Sequence, residues 1–106
     1  MSGSSGEMGN LLAQALKLQR AEDDARAALQ KETVRGSAEG GRVVVELNGL
    51  GAVQKVTIRD EVMTAGREAL EALILAALQD GAGKAEHLAE ESLSKVRGGL
   101  HLPRMK

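Results

Sequence analysis

The residues of this chain best suited to chemistry are its bases, and the chemistry they suit is phosphate binding. From Lys95 to Lys106 the sequence places Lys95, Arg97, Arg104 and Lys106 with no acidic residue among them. Lysine brings a compact point charge and arginine a planar fork of donors, both matched to phosphate oxygens. His101 adds partial charge to this stretch below its ordinary pKa of about 6.5. Lys17 and Arg20 form a second candidate pair, because residues three apart share one face of a helix. Each group also has a plainer role. A short basic tail offsets the negative end of a helix dipole, and Arg20 is within pairing reach of Asp23 or Asp24 on a solvated helix face.

No enzymatic constellation competes with these bases. His87 and His101 are the only histidines and fall on different expected elements. Glu91 stands one helical turn beyond His87, with Glu86 and Glu90 close in sequence, a spacing that suits a metal ion but is met more simply by a solvated helix face. Gly40-Gly41 and Gly49-Leu50-Gly51 lack the Lys-Ser/Thr pair that follows a phosphate-binding loop, so they read as turns. No Ser-His-Asp set or pair of buried carboxylates can be assembled. With no cysteine, disulfides and thiolate chemistry are excluded. The expectation is a non-enzyme without cofactor or metal.

The bases need a frame. The 106 residues fit one domain, and a hydrophobic share of 42% is too high for a disordered chain. There are no aromatic residues. A core of Leu, Val, Ile, Ala and Met alone is thin for a small monomer, so burial against a second copy is expected. The absence of rings also leaves only Arg or His to stack on unpaired bases, which directs any nucleic-acid binding toward duplex backbone. Fourteen bases against fifteen acids give a formal net charge of −1, which excludes a polycation acting through bulk charge. The longest apolar run, Ala72 to Leu78, is far shorter than the ~18–20 residues that span a bilayer. No secretory signal opens the sequence, so a cytoplasmic location is expected.

Periodicity supplies the elements. Leu11, Ala15, Leu18, Ala25 and Leu29, widened by Leu12 and Leu16, predict an amphipathic helix from about Asn10, as its N-cap, to Glu32. Alternation through Val34, Gly36 and Ala38 predicts a weak strand. After a turn at Glu39-Gly40-Gly41, Val43, Val45 and Leu47 share one face of a second strand. Asn48-Gly49 predicts a tight hairpin turn with both central residues at positive φ. Val53 to Ile58 completes an antiparallel meander, with Val56 and Ile58 on one face. A loop or short turn spans Arg59 to Gly66. Leu70, Leu73, Ile74, Ala77, Leu78, Ala85, Leu88 and Leu93 then predict a helix from Arg67 to about Val96. Gly81 and Gly83 are read as a bend or close helix contact within it, and Gly98-Gly99 as its C-terminal cap. A helix of about 30 residues is ~45 Å long, longer than one small subunit covers, so its ends project. Over residues 67–94 the second helix carries Arg67 and Lys84 against Glu68, Glu71, Asp80, Glu86, Glu90 and Glu91. In the sheet region, Arg35, Arg42, Lys55 and Arg59 outnumber Glu39 and Glu46, a surplus suited to lining the surface between the arms but read first as blunting sheet edges.

In this order the blocks resemble the YbaB/EbfC family of bacterial nucleoid-associated proteins. The likeness rests on Met8-Gly9-Asn10-Leu11-Leu12, Gly40-Gly41-Arg42-Val43-Val44-Val45 with Leu47-Asn48-Gly49, and Val53-Gln54-Lys55-Val56-Thr57-Ile58. It continues through Leu70 to Ala77, Asp80, Lys84-Ala85-Glu86, and Gly98-Gly99-Leu100 with Leu102-Pro103. The sequence departs from the family's pattern in a shorter loop after the third strand, in Gly81 and Gly83, and in its Arg104-Met105-Lys106 ending. The resemblance implies an α+β fold of helix, three-stranded antiparallel meander and long helix, assembled as a tweezer-like homodimer that binds double-stranded DNA through its helical arms. On this reading residues 1–8 are a flexible tail, residues 9–103 the DNA-binding domain and residues 104–106 a basic tail. The candidate DNA contacts are Lys17, Arg20, Lys95, Arg97, Arg104 and Lys106, and the location is the nucleoid. The alternative is an interaction module whose arms hold a replication or recombination protein, which the acidic second helix favours.

Overall fold

A computed structural model describes residues 3–98, with side-chain surroundings from residue 6 onward. The order is α1 (Gly3–Lys31), β1 (Thr33–Ala38), β2 (Val43–Asn48), β3 (Val53–Ile58), a 3-10 helix (Asp60–Thr64) and α2 (Arg67–Gly98). The sheet is antiparallel in the order β1-β2-β3, so the α+β meander expected from periodicity is present. α1 begins at Gly3, not at Asn10. Asn10 is therefore inside the helix and caps nothing, and residues 3–8 of the stretch read as a flexible tail form the first turns of α1. Gly99, the second residue of the expected cap on α2, lies outside the described residues.

α2 lies across β1 and β2, burying Leu73, Ala77, Gly81 and Ala85 along one stripe. Opposite stand Ala38, Val43, Val45 and Leu47, joined by Val62 of the 3-10 helix and flanked by Ile58, Leu70, Ile74 and Leu78. Full burial of each larger side chain stabilises the fold by roughly 1.5–3 kcal/mol. The alternation of β1 needed a glycine for a steric reason. A Cβ on Gly36 would run into the Ala77 carbonyl oxygen and the Gly81 backbone, and one on Gly81 into Leu47. Gly36 and Gly81 thus let a strand and a helix approach backbone to backbone, while Gly83 faces open space. α2 is continuous through both glycines, as the close-contact reading expected.

The β2–β3 connection is not the two-residue turn predicted from Asn48-Gly49. Neither residue has positive φ; in this connection Gly51 does, at 92°. The Asn48 side-chain oxygen accepts from the Leu50 and Ala52 N–H groups at 2.9 and 3.0 Å, which organises a longer loop. Gly49 is required because its N–H donates to the Leu29 carbonyl at 2.8 Å, where a Cβ would collide with that same oxygen. Leu29 itself is fully buried, so this loop seats the C-terminal end of α1.

A register shift lies between Glu46 and Leu47: Lys55 pairs with Glu46 and Val53 with Leu47, leaving Gln54 as a bulge. Strict alternation puts Val53 and Val56 on opposite faces. The bulge restores them to one face, because Val53 opposes Leu47 and Val56 opposes Val45. That is the core-facing side of the sheet, yet α2 does not extend over it: Val53 is 50% and Val56 44% exposed.

α2 closes the other edge of the sheet. Asp80 accepts from the Ser37 N–H at 2.9 Å, and Lys84 donates to the Arg35 carbonyl at 3.3 Å while pairing with Asp80 at 3.1 Å. This clasp satisfies backbone groups of an edge strand, a protection that charged residues commonly provide. The Ser37 hydrogen bond, followed by Lys84, holds the Asp80 carboxyl below its ordinary 3.8. Its ionised form therefore favours the fold above pH 3.8, and that contribution fades as pH falls through the lower folded value. Asp80→Asn is expected to lower stability at neutral pH, with the gap from the parent narrowing at an acid pH well below 3.8. Urea unfolding of both chains at the two pH values checks this, and a gap independent of pH would remove Asp80 ionisation from the clasp.

The principal extents are 78 × 30 × 17 Å and the radius of gyration is 20.9 Å, against ~13 Å for a compact domain of about 100 residues. The excess length comes from α1 and α2, which project as an arm. Among the described residues, no helix is long and apolar enough to cross a membrane.

Candidate nucleic-acid interface

The arm is an antiparallel pair. Leu18, Ala21, Glu22, Ala25 and Leu29 of α1 are at least partly buried and recur at helical spacing on the side that meets α2. Near the end of α2, Arg97 Nε donates to Glu22 Oε2 at 3.3 Å. This contact between residues 75 positions apart sets the last turn of α2 beside the turn of α1 that contains Leu18 and Glu22. Two basic groups remote in sequence, Lys17 with Arg20 and Lys95 with Arg97, are thereby brought to one region of the arm.

Lys17, Arg20, Lys95 and Arg97 are all exposed. Lys95 and Arg97 belong to the last turn of α2, where their charge also complements the negative end of the helix dipole. The expected pairing of Arg20 with Asp23 or Asp24 is not formed: among the described residues, no ion pair involves Lys17, Arg20 or Lys95. Arg97 differs, since its guanidinium is engaged by Glu22. Glu22 was missed as a site residue because its partner lies on a distant segment, although its place on the buried stripe of α1 was a usable signal. Arg104 and Lys106 lie outside the described residues.

Other candidates resolve into structural roles. Arg42 pairs with Glu39 at 3.4 Å and with Glu61 at 3.7 Å, bracing the β1–β2 turn against the 3-10 helix. The His87 imidazole stands 3.4 Å from Glu91 on an exposed face of α2, an ion pair only when protonated. Among the described residues, no group of three or more His, Asp or Glu side chains gathers around a metal-sized space.

Known proteins resemble this chain in sequence and in fold. The chain matches the YbaB/EbfC DNA-binding family over residues 5–100. It is 35% identical over 96 residues to a nucleoid-associated protein of Legionella pneumophila (strain Corby), covering 91% of this chain and 86% of that protein. It is 37% identical over 99 residues to a nucleoid-associated protein of Acetivibrio thermocellus, covering 92% and 88%. The crystal structure of an uncharacterized Helicobacter pylori protein has the same fold, with a TM-score of 0.68 at 22% identity over 92% of this chain and 96% of that one. A match spanning the helix, the meander and the second helix, together with relatives of this identity and coverage, places the chain in the YbaB/EbfC DNA-binding family.

Proposed function

We propose that this protein binds duplex DNA as a homodimer, chiefly through phosphate contacts, and thereby takes part in nucleoid organisation or gene expression. The observation that carries this reading is the Arg97–Glu22 contact, which gathers Lys17, Arg20, Lys95 and Arg97 on one arm. Its family and the names of its relatives point the same way. A single arm offers few positive groups, so a dimer that presents two is the economical way to hold a polyanion. The uncovered apolar face at Val53 and Val56, with Leu50 beside it, supports a second copy completing the core. Arg104 and Lys106 are included among the proposed contacts, and the nucleoid is the matching location. The six acids of α2 favour the second reading, an arm that holds a replication or recombination protein.

Fluorescence anisotropy on a labelled duplex at ~50 and ~200 mM salt separates the readings. The expected result is affinity that falls about tenfold or more at the higher salt. In Lys17→Ala/Arg20→Ala/Lys95→Ala the slope of log K against log salt flattens by about 0.9 for each phosphate contact removed. An unchanged slope would remove these three residues from the contact, and no binding in the micromolar range at either salt would favour a protein partner.

A further inference from the structure

Gly36, Ala38, Val43, Val45 and Leu47 turn one side of the sheet toward α2. Alternation along each strand puts Arg35, Ser37, Val44, Glu46, Lys55 and Thr57 on the other side. The register confirms the grouping, because Arg35, Glu46 and Lys55 form one cross-strand row and Ser37, Val44 and Thr57 the next. Arg35, Ser37, Lys55 and Thr57 are exposed, and Val44 and Glu46 are half-buried. We propose that this open side of the sheet is a second surface for the phosphate backbone of duplex DNA, held by Arg35, Lys55 and Arg59. It rests on the reading above that duplex DNA is the partner, and it adds a surface to the arm.

The row beyond Val44 and Thr57 shows why an anion belongs here. The Arg59 N–H donates to the Arg42 carbonyl at 3.0 Å, and Arg59 is extended at φ −72° and ψ 146°. The ladder therefore gains one more pair, with two arginines opposite each other on the open side. Like charges in that relation repel. Glu39 and Glu61 both answer Arg42. Among the described residues, no ion pair involves Arg35, Lys55 or Arg59, and Glu46 is the one acid in the rows between them. The β1 edge is already closed by Asp80 and Lys84, so Arg35 is not needed to blunt it.

The spacing selects a polyanion over a single small anion. Arg35 and Lys55 are two strand spacings apart, ~10 Å, and Lys55 and Arg59 four residues apart, ~13 Å. Bases so spread cannot converge on one phosphate, whereas a repeating backbone offers a partner to each. Between them Ser37, Val44 and Thr57 are short, which lets a broad body approach, and the two hydroxyls can donate to phosphate oxygens. The face carries no aromatic residue on which unpaired bases could stack, which favours duplex over single strands. Val53 and Val56, assigned above to the dimer, lie on the opposite side of the sheet, so assembly leaves this face open.

Anisotropy on a labelled duplex across ~50 to ~200 mM salt tests this with three variants beside the parent. In Arg35→Gln/Lys55→Gln/Arg59→Gln, affinity at the lower salt is expected to fall about tenfold or more, and the slope to flatten by about 0.9 for each phosphate contact removed. Arg26→Gln/Lys31→Gln/Arg67→Gln removes the same charge from exposed positions off this face and is expected to leave the slope near that of the parent. Thr57→Lys, which adds a base at the centre of the face, is expected to bind more tightly with a steeper slope, a gain that misfolding cannot produce. Equal flattening by the two triple variants would reduce the effect to net charge and overturn the assignment. An unchanged slope in Thr57→Lys would also overturn it. If the parent binds and the sheet variant matches it, the face alone is refuted and the arm stands. If the parent does not bind in the micromolar range, arm and face fall together.

Discussion

Gly36→Val is expected to prevent stable folding, at a cost above about 4 kcal/mol. The argument is one of space. The position faces the backbone of α2, where even a Cβ would meet the Ala77 carbonyl oxygen and the Gly81 nitrogen and Cα. Neither neighbour is a flexible side chain that can rotate away, so α2 must lift from the sheet. Lifting it separates Leu73, Ala77 and Ala85 from Val43, Val45 and Leu47, which together form most of the buried core. Valine's preference for strands, worth at most ~1 kcal/mol, does not offset that loss. Gly83→Ala is the matched control: it lies in the same helix and faces open space, so it is expected to stabilise by up to about 1 kcal/mol. Urea unfolding followed by circular dichroism reads both. A cooperative Gly36→Val transition near the parent midpoint would mean that the strand and helix do not meet backbone to backbone.

Val53→Asp/Val56→Asp is expected to leave a folded monomer that has lost most of its DNA affinity. Both valines are about half exposed in the single chain, so carboxylates are tolerated there in isolation. Across the proposed dimer contact they would instead bury like charges without partners. The predicted affinity loss is about 100-fold or more, because two linked arms exceed one by that order without any additional contact. The salt slope should fall by about half, since half of the phosphate contacts go. Light scattering and anisotropy on one preparation check this together. A variant that remains dimeric removes the β3 face from the assembly, whereas a monomer with undiminished affinity removes the need for two arms.

Much of the architecture follows from local pattern. Leu and Ala at helical spacing, β-branched residues in alternation and Gly-rich connections specify helix, meander and helix through short-range sterics and solvent preference, which are properties of neighbouring residues. The same locality explains the misreadings. Glycines and serines near the N-terminus are poor helix formers, so propensity placed the start of α1 at Asn10 instead of Gly3. Asn48-Gly49 carried a hairpin signal, but Gly49 is there because the carbonyl of Leu29, from another element, approaches it. The bulge at Gln54 shifted the register by one residue and moved Val53 to the face of Val56.

The candidate site divides along the same line. Composition and order were sufficient for the absence of aromatic stacking, the locations of the bases and the resemblance to the family. They were silent on which bases lie together, because the chain distance between α1 and the end of α2 says nothing about their separation in space. Only the packed arm sets Arg97 on Glu22 and leaves Lys17, Arg20 and Lys95 outside ion pairs among the described residues. Local pattern determines elements because their forces act over a few residues. Tertiary structure decides partners because an ion pair, a Gly–Gly approach or an uncovered strand face exists only once distant segments share a boundary.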